Sequence, residues 1–226
     1  MTDPTCGFQR ARRPEQREAR RQAILDAAAA MLAESSVTEI SLRELSRRVG
    51  LAKSNVLRYF ESREAVFLEL LDSAVRDWLG ELPDRLSGGT KDDPADRVAT
   101  VIAGSITERP LLCELISVTA GVLERNISVE VARRFKLATT QAHGTLAGLV
   151  RDQVPGLSDE GAHHFAATIL IVVAGLWPFA NPTEQVLAAI EELSLDVPHL
   201  VFGDMLREIL ANQLAGLLAR QRLSAR

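Results

Sequence analysis

The sequence specifies an all-α fold, on three observations. Apolar residues fill 46% of the 226 positions and lean to Ala and Leu, whereas aromatic residues fill only 4%. Long stretches lack Gly and Pro. Apolar side chains recur at spacings of three and four, with no convincing strand-like alternation or internal repeat. With 9 Pro and 14 Gly the composition is neither disordered nor collagenous, and the length allows one or two helical domains. The two cysteines, Cys6 and Cys113, show no spacing suited to zinc or redox chemistry. Neither a metal nor a cofactor is therefore expected, and a reducing cytoplasm is the plain setting.

The first 16 residues read as a flexible basic arm, because QRARRPEQREARRQ, beginning at Gln9, carries six arginines against two glutamates. Ile24, Ala28, Met31 and Leu32 then share a face and predict a first helix over residues 17–34, closed by Ser35 and Ser36. Ser41 followed three places on by Glu44 is a capping-box spacing, and Leu42, Leu45 and Val49 form one face of a second helix ending at Gly50. Leu51 and Ala52 turn the chain into KSNVLRYF, where Val56 and Phe60 stand one turn apart and predict a short third helix. Ser62 caps a longer fourth helix, whose stripe runs from Val66 and Phe67 through Leu71, Val75 and Trp78 to Leu82. Pro83 and SGGTKDDP predict a loop. Helical patterns then run over 94–108, 110–125, 128–153, 158–179, 183–195 and 201–222, with Pro110 in a first-turn position.

No apolar segment near the N-terminus suits a secretory signal. The stretch FAATILIVVAGLWPFA, Phe165–Ala180, is shorter than the roughly 20 residues a spanning helix needs. It reads as a buried or partner-packed helix, so no membrane is expected among the partners. Through Ala65 there are 12 Lys/Arg and 9 Asp/Glu, a net of +3, and afterwards 14 against 21, a net of −7. A small basic head thus precedes a larger acidic body, and the expected division is an arm at 1–16, a head at 17–64 and a body at 65–226.

Two short helices joined by a glycine-containing turn, after a longer helix and an arginine-rich arm, is the arrangement of a DNA-binding helix-turn-helix. The first turn of its second short helix reaches base edges, which singles out Lys53, Ser54 and Asn55. Lys53 suits guanine, Asn55 suits adenine or a phosphate, and Ser54 allows close approach. A solvated helix start is the competing reading.

The segments AILDAAAAMLAES, from Ala23, and ISLRELSRRVGLAKSNVLRYFESREAVFLELL, from Ile40, resemble the N-terminal domain of the tetracycline-repressor-like (TetR) regulators of bacteria. The likeness covers residues 17–71, with departures at Ser46, Ser36 and Leu57, where the family usually has Ala, Gly and Tyr. It implies a base or phosphate contact for Arg43 and groove-flanking places for Arg58 and Tyr59. At Arg63 it implies the phosphate-binding place usually held by lysine. Ser41 either caps the second helix and also approaches phosphate, or serves as a cap alone. Arg10, Arg12 and Arg13 either enter a minor groove or add nonspecific affinity.

The resemblance further implies a small-molecule cavity among the middle helices and a four-helix interface between two copies. Trp78, Cys113, Ile116, Phe135, His143 and Trp177 are the cavity candidates, with ordinary core packing the alternative for each. Ile169, Val172 and Val173 with Leu206, Leu210, Leu214 and Leu217 are the candidates for the dimer seam. His163 and His164 are neighbours on a helix and point about 100° apart, so no metal is assigned to them.

The function expected is that of a ligand-responsive transcriptional regulator. It is a repressor that binds a palindromic double-stranded operator DNA as a homodimer and is released by an unidentified small-molecule effector. The alternative is a helical protein-interaction module with lost or reduced specific DNA binding. No nucleophile motif, glycine-rich phosphate loop or metal-ligand spacing points to an enzyme.

Overall fold

The computed structural model describes residues 6–88, 93–195 and 200–224, with side chains placed from Pro14 to Leu223. Among the described residues the chain forms ten α-helices, one 3-10 turn and no strand. The head holds α1 (Cys6–Leu32), α2 (Leu42–Val49) and α3 (Lys53–Val56), and α4 (Arg63–Leu86) leads out of it. The body holds α5 (Pro94–Thr107), α6 (Pro110–Val118), α7 (Val129–Gln153), α8 (Asp159–Ala180), α9 (Glu184–Glu192) and α10 (Phe202–Ser224), with the 3-10 turn at Leu123–Arg125.

Local chemistry sets these boundaries. The Ser41 hydroxyl accepts from the Glu44 amide at 3.2 Å while the Glu44 carboxylate accepts from the Ser41 amide at 2.9 Å, closing the capping box. Gly50 ends α2 at φ +73°, a left-handed conformation that a β-carbon would strain. Ser62, Ser128, Ser158 and Thr183 each accept from the amide three residues on, and so start α4, α7, α8 and α9.

Three elements differ from the sequence pattern. Helix α1 begins at Cys6 rather than near residue 17, so residues 6–16 of the expected arm are helical. Its Arg, Gln and Glu residues are good helix formers, and Pro14, which has no backbone N–H, removes only one helical hydrogen bond. The side chains of Arg10, Arg12 and Arg13 lie outside the described residues. Helix α4 runs past Pro83 to Leu86, because Leu82 and Leu86 are both buried and hold the last turn in the core. The helix expected over 110–125 stops at Val118 and resumes as the 3-10 turn, whose Leu123 is fully buried.

One continuous apolar cluster runs through head and body. The head contributes Ile24, Leu25, Ala28, Ile40, Leu45, Val56 and Phe60, which meet Val66 and Phe67 at the start of α4. In the body α10 packs on α5 and α8, α7 on α8, and α4 on α7. Phe67 and Phe165 are the largest fully buried side chains, and truncating either to alanine would cost about 3–5 kcal/mol. Helix α8 is long and apolar enough to cross a bilayer, yet Phe165, Ile169 and Val173 are fully buried in this core. Helix α4 is thus the element shared by head and body, and its two ends frame the site.

Candidate functional site

Arg43 and Arg47, one turn apart on α2, are exposed, as are Lys53, Ser54 and Asn55 on α3. The charged ends of Arg43, Arg47 and Lys53 bond to no other described residue, so they remain available to an anion. Helix α3 is a single turn, after which the Tyr59 and Phe60 amides donate to the Val56 carbonyl at 2.9 and 3.1 Å. Val56 and Phe60 are buried and anchor this segment, which leaves Lys53 to Asn55 and Arg58 facing outward. Ser46, where the family usually has Ala, is buried and satisfied by donating to the Arg43 carbonyl at 2.8 Å.

Arg58 and Tyr59 border a hollow of about 310 Å³ together with Gln16, Arg17 and Arg20 of α1. Three guanidinium groups around one hollow suit a phosphate backbone. Sequence reasoning passed over Arg17, Arg20 and Arg47, although the Arg43 to Arg47 interval of four places both on one helical face. Ser41 is occupied, since its hydroxyl also donates to the Glu44 carboxylate at 2.7 Å. Those bonds from Ser41 hold the Glu44 carboxyl below its ordinary range.

Arg63 faces inward instead of toward a groove. Its guanidinium donates to the Ile40 carbonyl at 2.7 Å, the Val37 carbonyl at 3.3 Å and the Glu64 carboxylate at 2.8 Å. Glu64 is buried and also accepts from the Asn126 side-chain amide at 3.4 Å. Beside it, Glu61 accepts from the Ser128 backbone amide at 2.6 Å, which holds its carboxyl below the ordinary value. Arg63, Glu61 and Glu64 therefore tie three pieces together: the loop before α2, the first turn of α4 and the segment entering α7. Arg21 adds a link from α1 by donating to Glu69 at 2.7 Å and to the Tyr59 carbonyl at 3.1 Å, with its guanidinium 4.4 Å above the Phe60 ring.

Further along α4, a cavity of about 390 Å³ opens between α4, α7 and α8. Leu71, Val75, Leu79, Ala142, Leu146 and Leu170 give it walls of carbon. Trp78, Ile116, Phe135 and His143 line it, as the sequence suggested. Cys113 and Trp177 do not. Cys113 lies in the core, where its thiol donates to the Ile106 carbonyl at 3.5 Å and burial pushes its pKa up to about 12. Trp177 donates to Glu114 at 3.2 Å and meets the Phe202 ring edge-on at 5.0 Å. The sequence reading missed Thr139, Ala142 and Leu146, which follow Phe135 at 4, 7 and 11 residues and make a legible stripe on α7.

The dimer seam read from the sequence needs correction. Ile169, Val173, Leu206, Leu210 and Leu214 are all fully buried inside the chain, where α8 packs on α6, α7 and α10, and α10 packs on α5, so they cannot reach a second copy. Val172 and Leu217 are half-buried. The outward stripe of α8 is instead His164, Ile171, Gly175 and Phe179, with Ile171 72% and Phe179 77% exposed. On α10 it is Met205, Asn212, Ala215, Gly216 and Ala219.

This arrangement has known counterparts. The family described as "Tetracyclin repressor-like, C-terminal domain" matches residues 72–221, and that described as "Bacterial regulatory proteins, tetR family" matches residues 24–70. An uncharacterized HTH-type transcriptional regulator of Haemophilus influenzae is 35% identical over 81 residues, which span 34% of this chain and only 40% of that protein. A TetR transcriptional regulator from Rhodococcus sp. RHA1 shares the fold with a TM-score of 0.59 at 16% identity, over 90% of this chain and 97% of that one. The regulator FadR from Bacillus subtilis, solved in complex with stearoyl-CoA, does so with a TM-score of 0.54 at 13% identity, over 85% and 98%. The two family matches meet inside α4, where head joins body, and together they make this chain a member of the TetR family of bacterial transcriptional regulators, which bind DNA through a helix-turn-helix.

Proposed function

We propose that this regulator is a repressor that binds a two-fold-symmetric operator as a homodimer and leaves it when a small molecule fills the body cavity. The observation that carries this reading is the double attachment of α4. Leu71, Asp72, Val75 and Leu79 border the cavity, while Arg63 and Glu64, two turns earlier on the same helix, are bonded into the head. A ligand that shifts α4 therefore takes the head with it, changing the spacing of two heads that must enter successive major grooves.

Arg43, Arg47, Lys53 and Asn55 supply the base and phosphate contacts in this scheme, and the hollow bordered by Arg17, Arg20 and Arg58 follows the flanking backbone. The second copy covers the outward stripes of α8 and α10, where Ile171 and Phe179 stand in water and Gly175, Ala215 and Gly216 permit close approach. That a protein of the same fold was solved with stearoyl-CoA supports a small-molecule role for the body. The place of action is then the cytoplasm, where bacterial DNA lies.

A panel of small molecules screened by thermal shift tests the reading. Compounds that raise the unfolding temperature are expected to weaken operator binding. Compounds that stabilise the body yet leave operator affinity unchanged would contradict it. Phe179→Glu is expected to give a monomer in analytical ultracentrifugation, and a dimer unaffected by that charge would remove α8 from the interface.

A further inference from the structure

A second space, a cleft of about 540 Å³, lies between the Leu57 to Glu61 segment of the head, α4 and α7. Most of its charges are engaged. Arg21 donates to Glu69 at 2.7 Å, Asp72 pairs with Arg76, and Glu61 accepts from the Ser128 amide at 2.6 Å. The guanidinium groups of Arg58, on the head side, and Arg134, on α7, form no hydrogen bond or ion pair with any described residue. The Glu61 carboxyl, held down first by the Ser128 amide, also feels the charge of Arg134, so that guanidinium is directed toward the Glu61 wall of the cleft. With four arginines against three carboxylates in its lining, the cleft keeps one positive charge that a monoanion balances. Leu57, Leu68, Val131 and Phe135 add carbon to the walls. A planar carboxylate matches guanidinium geometry, and an apolar body matches those walls.

We propose that this cleft is a second ligand site, for a small carboxylate whose charged group sits between Arg58 and Arg134 and whose apolar body lies against Leu57, Leu68 and Phe135. Arg58 also borders the hollow of Gln16, Arg17 and Arg20. A bound carboxylate therefore draws that cation away from the hollow and adds negative charge beside it, so carboxylate and DNA oppose each other. The site stands apart from the body cavity, and only its effect on DNA rests on the hollow following the backbone.

Equilibrium dialysis of the full chain against 2-naphthoate and its neutral analogue 2-naphthamide tests the site. The carboxylate is expected to bind at least about tenfold more tightly, the worth of one hydrogen bond between charged groups. Arg134 and Lys136 are both exposed, and Lys136 borders the body cavity instead of the cleft. Arg134→Gln is expected to erase the preference and Lys136→Gln to keep it, both at an unchanged unfolding temperature. With a duplex enriched from random DNA, 2-naphthoate is expected to weaken binding by the unsubstituted protein and not by Arg134→Gln. Binding of neither probe, equal binding of acid and amide, a preference that survives Arg134→Gln, or one lost in Lys136→Gln would overturn the site. Tight carboxylate binding that leaves DNA affinity unchanged would overturn the opposition alone. Enrichment of no duplex would count against the reading of the head, and the dialysis would still decide the site.

Discussion

The outer face of α2 and α3 and the first turn of α4 carry the same kind of side chain to opposite ends. Arg43, Arg47 and Lys53 are exposed and bond to no other described residue, whereas Arg63, ten residues beyond Lys53, donates to the Val37, Thr38 and Ile40 carbonyls and to a buried carboxylate. Taken one side chain at a time, Arg63 looks as available along the sequence as Arg43 or Lys53. Charge is free for a nucleic acid only where the fold has not already satisfied it, so the first region is the one proposed to read DNA, and the second holds the head to the body.

Substitutions that separate recognition from scaffold sharpen that contrast. The largest effect is expected from Arg43→Ala combined with Lys53→Ala, which should cost about 2–6 kcal/mol of operator affinity per half-site without moving the urea midpoint. Fluorescence anisotropy against salt concentration measures it, and a shallower salt slope would mark the contacts that went to phosphate. Arg63→Ala should do the reverse. It leaves Glu64 buried without its cation, and about 3 kcal/mol of stability should be lost in urea unfolding. If Arg63→Ala weakened DNA binding at full stability, the contrast between the two regions would collapse.

Ser41→Ala removes one side of the capping box and should cost about 1 kcal/mol, read from the same unfolding curves. The smallest effect belongs to Glu61. Its carboxyl sits below the ordinary 4.5 because it accepts from the Ser128 amide, so the unfolded chain takes up the proton first as the pH falls. The stabilisation is complete above pH 4.5 and is lost as the pH falls through the lower folded value. Glu61→Gln should therefore be slightly less stable than the unsubstituted protein near neutrality, and the gap between their urea midpoints should close in acid. A gap that widened in acid would remove the Ser128 bond as its cause.

Helix spacing and caps were legible in the sequence because each is a local property. Ser41 with Glu44, Gly50 at the turn, and the α4 stripe from Val66 to Leu82 all depend on residues within a turn or two of one another. What the sequence concealed is the direction an apolar stripe faces. Leu206, Leu210 and Leu214 repeat every four residues as a dimer seam would, but the same spacing serves a helix packed on α5 of its own chain. Trp177 and Cys113 fall outside the cavity for the same reason, since a side chain that lines a cavity, one half-buried against a neighbouring ring and one in the core have the same local pattern. Arg63 was placed by likeness to a lysine position, and only the Val37 and Ile40 carbonyls, more than twenty residues away, show where its charge goes. Conversely, Phe135, Thr139, Ala142 and Leu146 formed a readable stripe on α7 that marks the cavity wall.

Selection of bound duplexes from random DNA, at about physiological salt because phosphate contacts make affinity steeply salt-dependent, tests sequence-specific reading by a paired head most directly. The expected result is a two-fold-symmetric site, with half-sites separated by about one helical turn or a multiple of it, that Arg43→Ala or Lys53→Ala no longer enriches. Recovery of no common site by the folded protein, or of one that both variants enrich equally well, would contradict it.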